Sequence, residues 1–288
     1  MRPQRVGRIV VEKVTEFEFL FDPAQAFPEY DPQVAVACRD WLEPHFFDSA
    51  SGQIRSSVHS YVVRTKRHTI LVDTCVGNHK DRVQPLWHRQ DRPYLANLAA
   101  IGLTPADIDV VMCTHLHGDH IGWNTKLEGG RWVPTFPNAR YVFSRADYDY
   151  FAALSPGDRA YPPVADSIRP IVEAGQAAVV DPDYALDDEV AIYPAPGHTP
   201  GHYCVDLRSS GRRALLTGDL MHHPIQVRRP DWSSFFCYDR DWSRRTRIKF
   251  VDDMTDRDVL VLAAHFPGPT AGHIRGGPTG AWFALADA

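Results

Sequence analysis

Three histidines and one aspartate stand within six consecutive positions of the segment THLHGDHIG. His115 and His117 are two residues apart, so in an extended chain both side chains project to the same side and can bind one ion. Gly118 lets the chain turn sharply, which allows Asp119 and His120 to present ligands at a neighbouring position. Imidazole and carboxylate groups are the usual ligands of zinc and related ions, and grouping them beside an apolar run is costly without a metal or partners. The spacing predicts a two-metal site.

Three more candidate ligands follow apolar runs later in the chain. His198 follows a Pro-Gly turn in PAPGHTPGH, Asp219 ends LLTGD, and His265 ends VLAAH. Each of them alone would more often be a core or surface residue than a ligand. Together with the first cluster they make five histidines and two aspartates, which is enough for two ions. Two-metal hydrolases hold their ions roughly 3.5 to 4 Å apart, and Asp219 is the candidate carboxylate bridge.

Apolar runs that end at these residues predict the strands that position them. RIVVEKV (8–14) reads as a strand, residues 60–74 as a strand pair that ends at Asp73, and VVMC as a buried strand before the histidine cluster. Residues 91–103 have apolar positions at helical spacing between a proline and a glycine, which predicts a helix. Further strands are predicted in ARYVFS, VAIYPAPGH, YCVDL, ALLTGD and VLVLAAH, and further helices in RADYDYFAAL and RTRIKFVDDM. Strands mixed with helices indicate a layered α/β protein.

The pattern His-x-His-x-Asp-His, followed in order by His198, Asp219 and His265, resembles the signature of the metallo-β-lactamase-fold hydrolase superfamily. The resemblance covers most of the chain. It implies an α/β fold with a four-layer αββα sandwich and two divalent metal ions at one edge between the two sheets. Residues 1–288 are expected to form a single hydrolase domain, in which the irregular, aromatic-rich segment 15–56 caps the site.

The resemblance also implies a role for each candidate ligand. The first metal would be held by His115, His117 and His198, the second by Asp119, His120 and His265, and Asp219 would bridge them. Asp73 matches a family position that orients a ligand histidine, although a polar cap at the strand end is a simple alternative. The ions are expected to be Zn²⁺, with Mn²⁺, Co²⁺ and Fe²⁺ left open because these ligands suit several ions.

These roles predict hydrolysis of a small carboxylic ester or lactone. A metal-bridging hydroxide would be the nucleophile, since a bound ion lowers the pKa of water from about 15.7 toward about 7, and Asp119 would transfer the proton to the leaving group. The segments THLHGDHIG, GHTPGH and TGDLMHHPIQV resemble the branch that holds N-acyl-homoserine lactonases and methyl-parathion-hydrolase-like enzymes. Many of these lactonases carry a catalytic tyrosine three residues after the bridging aspartate, where this chain has His222. His222 is the second catalytic candidate, and hydrolysis of an organophosphate triester is the alternative function.

Two other interpretations compete with a hydrolase. An iron-dependent oxidoreductase on the same fold, such as a persulfide dioxygenase, would not need the second-metal set of Asp119, His120 and His265. A non-catalytic metal-binding protein would be expected to lack at least one of the seven candidates, and none is missing. The nearby His202 and His223 are expected to be packed or solvated side chains without a chemical role.

Composition sets the remaining expectations. The formal net charge is −5, which speaks against nucleic acid as a partner. No run approaches the roughly 18 apolar residues of a membrane span, and the start lacks the uninterrupted apolar core of a signal peptide. The five cysteines are scattered without a CxxC pair, which fits core residues in a reducing compartment. We therefore expect a cytoplasmic protein that acts on a small-molecule substrate, with a homodimer left open.

Overall fold

The computed structural model describes residues 1–286, which divide into two compact units. Unit 1 comprises Met1–Gly7, Glu18–Ser57 and the described residues from Ala185 onward. Unit 2 comprises Arg8–Phe17 and Val58–Tyr184. Each unit is therefore built from segments that are not contiguous in sequence. The expected single hydrolase domain stays a prediction.

Sixteen strands lie within the described residues. In chain order they are β1 (Gln4–Val6), β2 (Ile9–Phe21), β3 (Phe47–Asp48), β4 (Gln53–Arg64), β5 (Thr69–Val72), β6 (Val110–Met112), β7 (Thr125–Glu128), β8 (Arg131–Pro134), β9 (Arg140–Ser144), β10 (Ala177–Val180), β11 (Val190–Pro194), β12 (Tyr203–Ser209), β13 (Arg212–Leu216), β14 (Val259–Leu262), β15 (Ala271–Arg275) and β16 (Trp282–Leu285). One sheet has the order β1-β2-β4-β5-β6-β9-β10, with β3 paired to β4, and a second has the order β11-β12-β13-β14-β15-β16. Strands β7 and β8 form a separate hairpin.

Helices connect these strands. The α-helices are α1 (Pro23–Ala26), α2 (Pro32–Ala37), α3 (Arg39–Leu42), α4 (Tyr94–Ala100), α5 (Arg145–Ala152), α6 (Tyr161–Pro163), α7 (Arg169–Glu173), α8 (Ile225–Arg228) and α9 (Arg240–Met254). Shorter 3-10 helices lie at Pro85–Trp87, Pro105–Asp107, Gly122–Asn124 and Gly218–Leu220, and a π-helix lies at Val164–Ile168. Among residues 1–286, no helix has the length and apolar character needed to cross a membrane.

Two parallel strands of unit 2 bring candidate residues to one sheet edge. β5 and β6 pair in parallel with Val72 opposite Met112, and both strands are buried almost throughout. Such strands are apolar on both faces, which is why TILV and VVM read as continuous apolar runs. Because the two strands end side by side, Asp73 and the histidine cluster emerge at the same edge.

The second sheet repeats this arrangement in unit 1. β13 and β14 pair in parallel, with Leu216 opposite Leu262. The antiparallel strand β12 begins beside the end of β13, with Val205 opposite Leu216, and Tyr203 pairs with Pro194 at the end of β11. The turns that carry His198, Asp219 and His265 therefore leave the sheet at one common edge.

Most of the predicted elements are confirmed. The strand at 8–14 lies within β2, the strand pair at 60–74 is β4 and β5, and the helix at 91–103 contains α4. VVMC, the five later runs and the two later helices also coincide with elements of the predicted type. The prediction missed the strands β1, β3, β7, β8, β10, β15 and β16, the short helices α1–α3 and α6–α8, and the 3-10 and π-helices.

The segment 15–56 differs from the irregular cap that was expected. β2 continues as far as Phe21, three short helices follow, and the chain then enters β3 and β4. Phe27, Leu42 and Phe46 belong to the apolar core of unit 1 and are at most 1% exposed. The segment is ordered because its aromatic and aliphatic side chains fill that core. Whether it also covers the site stays a prediction.

Candidate metal centre

The histidine cluster of unit 2 lies in the turn directly after β6 and is buried apart from His117. Nε2 of His115 lies 3.1 Å from Nδ1 of His117, and the ring centroids of His115 and His120 are 4.0 Å apart. Nε2 of His120 lies 3.7 Å from an oxygen of Asp119. The turn therefore groups the four donors that the spacing predicted in this half of the chain.

Asp73 orients two of these side chains. Its carboxylate accepts hydrogen bonds from the backbone N–H and hydroxyl of Thr114, at 2.7 and 2.8 Å, and lies 2.9 Å from Nδ1 of His120. Because the Thr114 hydroxyl donates to Asp73, its oxygen is left to accept from Nδ1 of His115 at 3.1 Å. Both histidines are thus held with Nδ1 protonated and the Nε2 lone pair available, which is what a metal ligand needs.

Asp219 is the centre of the unit 1 cluster. One carboxylate oxygen lies 3.1 Å from Nε2 of His265, and the other lies 3.3 Å from Nε2 of His198 and 3.4 Å from Nε2 of His222. His198, Asp219 and His222 offer ligand atoms within 4.8 Å of one another. Each carboxylate oxygen thus faces a different imidazole, which is the arrangement expected of a bridging ligand.

The unit 1 histidines also have fixed orientations. Nδ1 of His265 lies 3.0 Å from the carbonyl oxygen of Ser57, which can only accept, so the proton is on Nδ1 and Nε2 is left for a ligand bond. Sγ of Cys237 lies 3.5 Å from Nδ1 of His198 and donates to the Ser243 hydroxyl at 3.4 Å. Burial raises the pKa of the Cys237 thiol, so its sulfur is neutral and can accept a weak hydrogen bond from the His198 N–H.

The donor separations fit a metal ion. Zinc binds imidazole nitrogen at about 2.0–2.1 Å in tetrahedral geometry, which separates two ligand atoms on one ion by about 3.3 Å. The four donor pairs within the units are 3.1 to 3.7 Å apart. Six of the seven candidate ligands are at most 8% exposed. Buried donors at these separations match the chemistry of a resident cation.

Two neighbouring histidines have structural roles. His202 is 1% exposed; its Nδ1 lies 3.0 Å from the carbonyl oxygen of Ala195, and its Nε2 accepts the Asp219 backbone N–H at 3.0 Å. His223 bonds the carbonyl oxygen of Phe46 at 2.8 Å, and burial lowers its pKa to about 4. The packed character expected for both is confirmed, but His202 additionally fixes the backbone of the candidate bridge.

The sequence analysis missed the side chains that hold the ligands. Thr114, Ser57 and Cys237 contact candidate ligands, yet none of them stands out by type or spacing. Four of the five cysteines are buried as expected, whereas Cys237 is partly exposed. Only the partner atoms in the folded chain reveal these roles, since Cys237 lies 39 positions from His198 and Ser57 lies 208 positions from His265.

Fold and donors together define an α/β protein with a candidate His/Asp metal centre. The chain belongs to the metallo-β-lactamase superfamily, whose sequence model matches residues 54–265, more than half of the chain. The resemblance stated from the ligand motif is thereby confirmed, as is the predicted fold class, the metallo-β-lactamase α/β sandwich.

Several named proteins are similar to the chain in sequence. An N-acyl homoserine lactonase of Azorhizobium caulinodans is 34% identical over 138 residues, which are 46% of this chain and 48% of that protein. A probable metallo-hydrolase of Mycobacterium tuberculosis is 26% identical over 233 residues, 73% of this chain and 74% of that protein. The chain thus spans about half the length of the first of these relatives.

Solved structures share the fold at low sequence identity. A hydrolase in the beta lactamase superfamily has a TM-score of 0.81 and 21% identity, over 99% of this chain and 97% of that chain. A dizinc quorum-quenching lactonase in complex with a product has a TM-score of 0.78 and 21% identity, over 100% of this chain and 97% of that chain. At this identity the likeness establishes the fold.

Proposed function

We propose that the chain is a dinuclear metal-dependent hydrolase that cleaves a small carboxylic ester or lactone. The observation that carries the proposal is Asp219, whose two carboxylate oxygens face different imidazoles at 3.1 and 3.3 Å. A carboxylate in this position suits a bridge between two ions. The relatives named as lactonases and as a probable metallo-hydrolase support the same class of reaction.

The proposed ligands follow the family pattern. One ion would be held by His115, His117 and His198, the other by Asp119, His120 and His265, with Asp219 shared. We propose zinc, because nitrogen-rich sites with carboxylates suit it and a dizinc protein shares the fold. Zinc ions in such a site would lower the pKa of a bound water and polarise the scissile carbonyl group.

The chain's own residues would then handle the proton and the substrate. Asp119 is 6% exposed and has a carboxylate oxygen 3.7 Å from Nε2 of His120. In the family pattern it would accept a proton from the attacking water and return it to the leaving oxygen. His222 would donate a hydrogen bond to the substrate from its place beside Asp219. Asp73 and Ser57 would keep the ligand rings in a single tautomer throughout the cycle.

A second candidate function is hydrolysis of an organophosphate triester. The observation that favours it is His222, which stands where many homoserine lactonases carry a catalytic tyrosine. Its Nε2 lies 3.4 Å from Asp219, so this position presents an imidazole rather than a phenol beside the proposed bridge. An imidazole N–H can donate a hydrogen bond to the phosphoryl oxygen of the triester, where negative charge develops as the nucleophile attacks.

The first experiment is metal content by elemental analysis, with an activity panel of an aryl ester, a γ-lactone, an acyl-homoserine lactone and a methyl phosphotriester. Wild type should carry about two zinc-like ions per chain, and Asp219→Ala should lose both ions and activity. Asp206→Ala is the matched control, because Asp206 and Asp219 are both aspartates of unit 1 with 4% and 3% exposure. The ranking of substrates selects between the two functions.

The opposite results have clear meanings. One iron per chain with no hydrolysis of any panel substrate would replace the hydrolase with an iron-dependent oxidoreductase. Full metal content and activity in Asp219→Ala would remove Asp219 from the ligand set and with it the observation on which the proposal rests.

A further inference from the structure

A buried cluster of charged residues lies against the ligand-bearing turn of unit 2. Asp166, in the π-helix, accepts a bidentate ion pair from Arg82, with Nη1 and Nη2 at 2.7 and 3.1 Å from its oxygens. Nζ of Lys80 lies 3.6 Å from the same carboxylate and 3.6 Å above the ring of Trp132. Lys80, Arg82 and Asp166 are 0%, 8% and 7% exposed. Two cations and one carboxylate are therefore held out of water in one place, which folding tolerates only with good geometry.

The cluster touches the ligand turn at Gly118, between His117 and Asp119. A Cβ at Gly118 would lie only 3.0 Å from Nε of Arg82 and 3.0 Å from Cγ of Pro163. Nε of Arg82 is buried and has no hydrogen-bond partner among the described residues. The guanidinium thus packs flush against the backbone of the turn. A Cβ at this position would require Arg82 or Pro163 to move by a few tenths of an ångström, so the glycine favours this close approach, although its φ angle is not in the left-handed region.

The π-helix is tied to the other end of the same turn. The backbone carbonyl of Asp166 accepts from Lys80 at 3.0 Å and from the Thr125 hydroxyl, and the carbonyl of Ser167 accepts from the Asn124 side chain at 3.3 Å. Asn124 in turn accepts from the Thr74 hydroxyl, and the Thr74 backbone N–H donates to the His120 carbonyl at 2.6 Å. The turn is therefore contacted by Arg82 at Gly118 and is linked at His120 to the π-helix through Thr74 and Asn124.

We propose that Asp166 and Arg82 are positioning residues that fix the backbone of the turn carrying His115, His117, Asp119 and His120. The positioning of the turn is inferred from contacts within unit 2. Its expected effect on metal binding rests on the proposed function. Arg82 is the main partner of Asp166, because it makes two contacts at 2.7 and 3.1 Å whereas Nζ of Lys80 lies 3.6 Å away. Asp166 fixes the guanidinium group of Arg82 through the bidentate ion pair. That group packs against Gly118 and so restricts the backbone of the turn.

The test compares Asp166→Asn with Asp206→Asn. Asp206 is a matched control because it is 4% exposed and also receives two cations, Arg208 and Arg213, at 2.8 Å. Zinc affinity is measured on metal-free protein by competition with a chromophoric chelator. Asp166→Asn should bind zinc about tenfold more weakly, at the lower end of the effect of residues that orient ligands, whereas Asp206→Asn should match wild type.

A second measurement does not depend on metal. Hydrogen exchange of backbone amides in residues 114–122 is followed in the metal-free protein, where Asp166→Asn should exchange faster and Asp206→Asn should not. The proposal is overturned if both variants lose thermal stability alike while zinc affinity and exchange in 114–122 stay as in wild type. If wild type binds no zinc, the proposed function fails, and the exchange measurement alone decides whether Asp166 holds the turn.

If Asp166→Asn does not fold, two glycine-to-alanine variants that keep the ion pair test the contact at Gly118. Gly118→Ala keeps every charge but crowds the guanidinium of Arg82 and the ring of Pro163, and Gly157→Ala is its control because nothing lies within 4 Å of a Cβ there. Weaker zinc binding in Gly118→Ala alone supports the proposal. Equal zinc affinity and equal exchange in both alanine variants overturn it.

Discussion

At the scale of single residues, the partner of each ring decides what a histidine does. His265 donates a hydrogen bond from Nδ1 to the carbonyl of Ser57, which leaves the Nε2 lone pair, 3.1 Å from Asp219, for a metal ion. His223 uses both nitrogens for backbone contacts, with Phe46 and Ile225, and has none left for chemistry. Both ring nitrogens of His202 likewise bond backbone groups, the carbonyl of Ala195 and the N–H of Asp219. Sequence can suggest that a histidine is near a site, but it cannot say which atoms face its ring.

The contacts of Asp73 predict a loss of metal affinity in Asp73→Asn. The amide has a single acceptor oxygen and cannot accept all three hydrogen bonds that the carboxylate accepts from Thr114 and His120, so zinc should bind about 10- to 100-fold more weakly. Asp256→Asn is the control, because Asp73 and Asp256 are aspartates with φ angles of 58° and 59°, a region that asparagine also adopts. Chelator competition is the measurement, and equal affinities for the two variants would reduce Asp73 to a strand-end cap.

His222 is predicted to act on substrate and not to hold an ion. His222→Phe should keep the full metal content. Its kcat should fall about 100-fold, which is typical of removing a group that transfers a proton or donates a hydrogen bond to the substrate. The half-buried His273 on β15 provides the control variant His273→Phe. Steady-state kinetics and elemental analysis are measured together. Loss of one ion per chain in His222→Phe would make His222 a ligand instead.

At the scale of elements, the strands that end at the site were the most predictable part of the fold. The runs TILV, VVMC and VLVLAA are short and apolar and are each followed by a polar residue, so both the strand and its approximate end could be predicted. β10 and β16 were missed because AAVV and WFAL resemble buried helix turns as much as strands. The pair Arg82–Asp166 could not be predicted at all, since 84 positions separate its members and neither lies in a periodic pattern.

One contact between elements predicts a pH dependence of stability. His223, just before α8, bonds Phe46 next to β3, and burial lowers its pKa to about 4 from about 6.5 in the unfolded chain. The stabilisation of the folded state by neutral His223 is therefore fully present above pH 6.5 and is lost as the pH falls toward 4. Between pH 7 and pH 5 this amounts to about 2 kcal/mol in the free energy of unfolding.

The measurement is urea unfolding of metal-free protein at several pH values. Wild type should lose stability between pH 7 and pH 5, and His223→Leu, although less stable at pH 7, should show a shallower dependence over that interval. If the two proteins lose stability in parallel, the titration belongs to another group.

At the scale of the whole molecule, the proposed ligand set has members in both units. His115, His117, Asp119 and His120 belong to unit 2, and His198, Asp219 and His265 belong to unit 1. Sequence spacing selected all seven as candidates, four in one cluster after an apolar run and three after later runs, but it did not reveal that the chain divides into two units of interleaved segments. That division depends on contacts distant in sequence, which no local pattern records.

Metal removal is predicted to lower the stability of the folded chain. A ligand that binds only the native state at 100 times its Kd adds about 2.7 kcal/mol for each site, so a chelator should reduce the Tm of the zinc-loaded protein by several degrees. Calorimetry with and without chelator measures the shift, and Asp219→Ala should show none. A wild-type Tm that does not respond to chelator would mean that no ion stabilises the fold.

The interleaved segments of unit 1 have a consequence for synthesis on the ribosome. Residues 18–57 supply Phe27, Leu42 and Phe46 to the core of unit 1, but their partners Phe266 and Phe283 lie near the other end of the chain. At usual elongation rates the early residues wait on the order of ten seconds before those partners emerge. During that interval unit 2 is completed first, and the aromatic surface of residues 18–57 is exposed to chaperones.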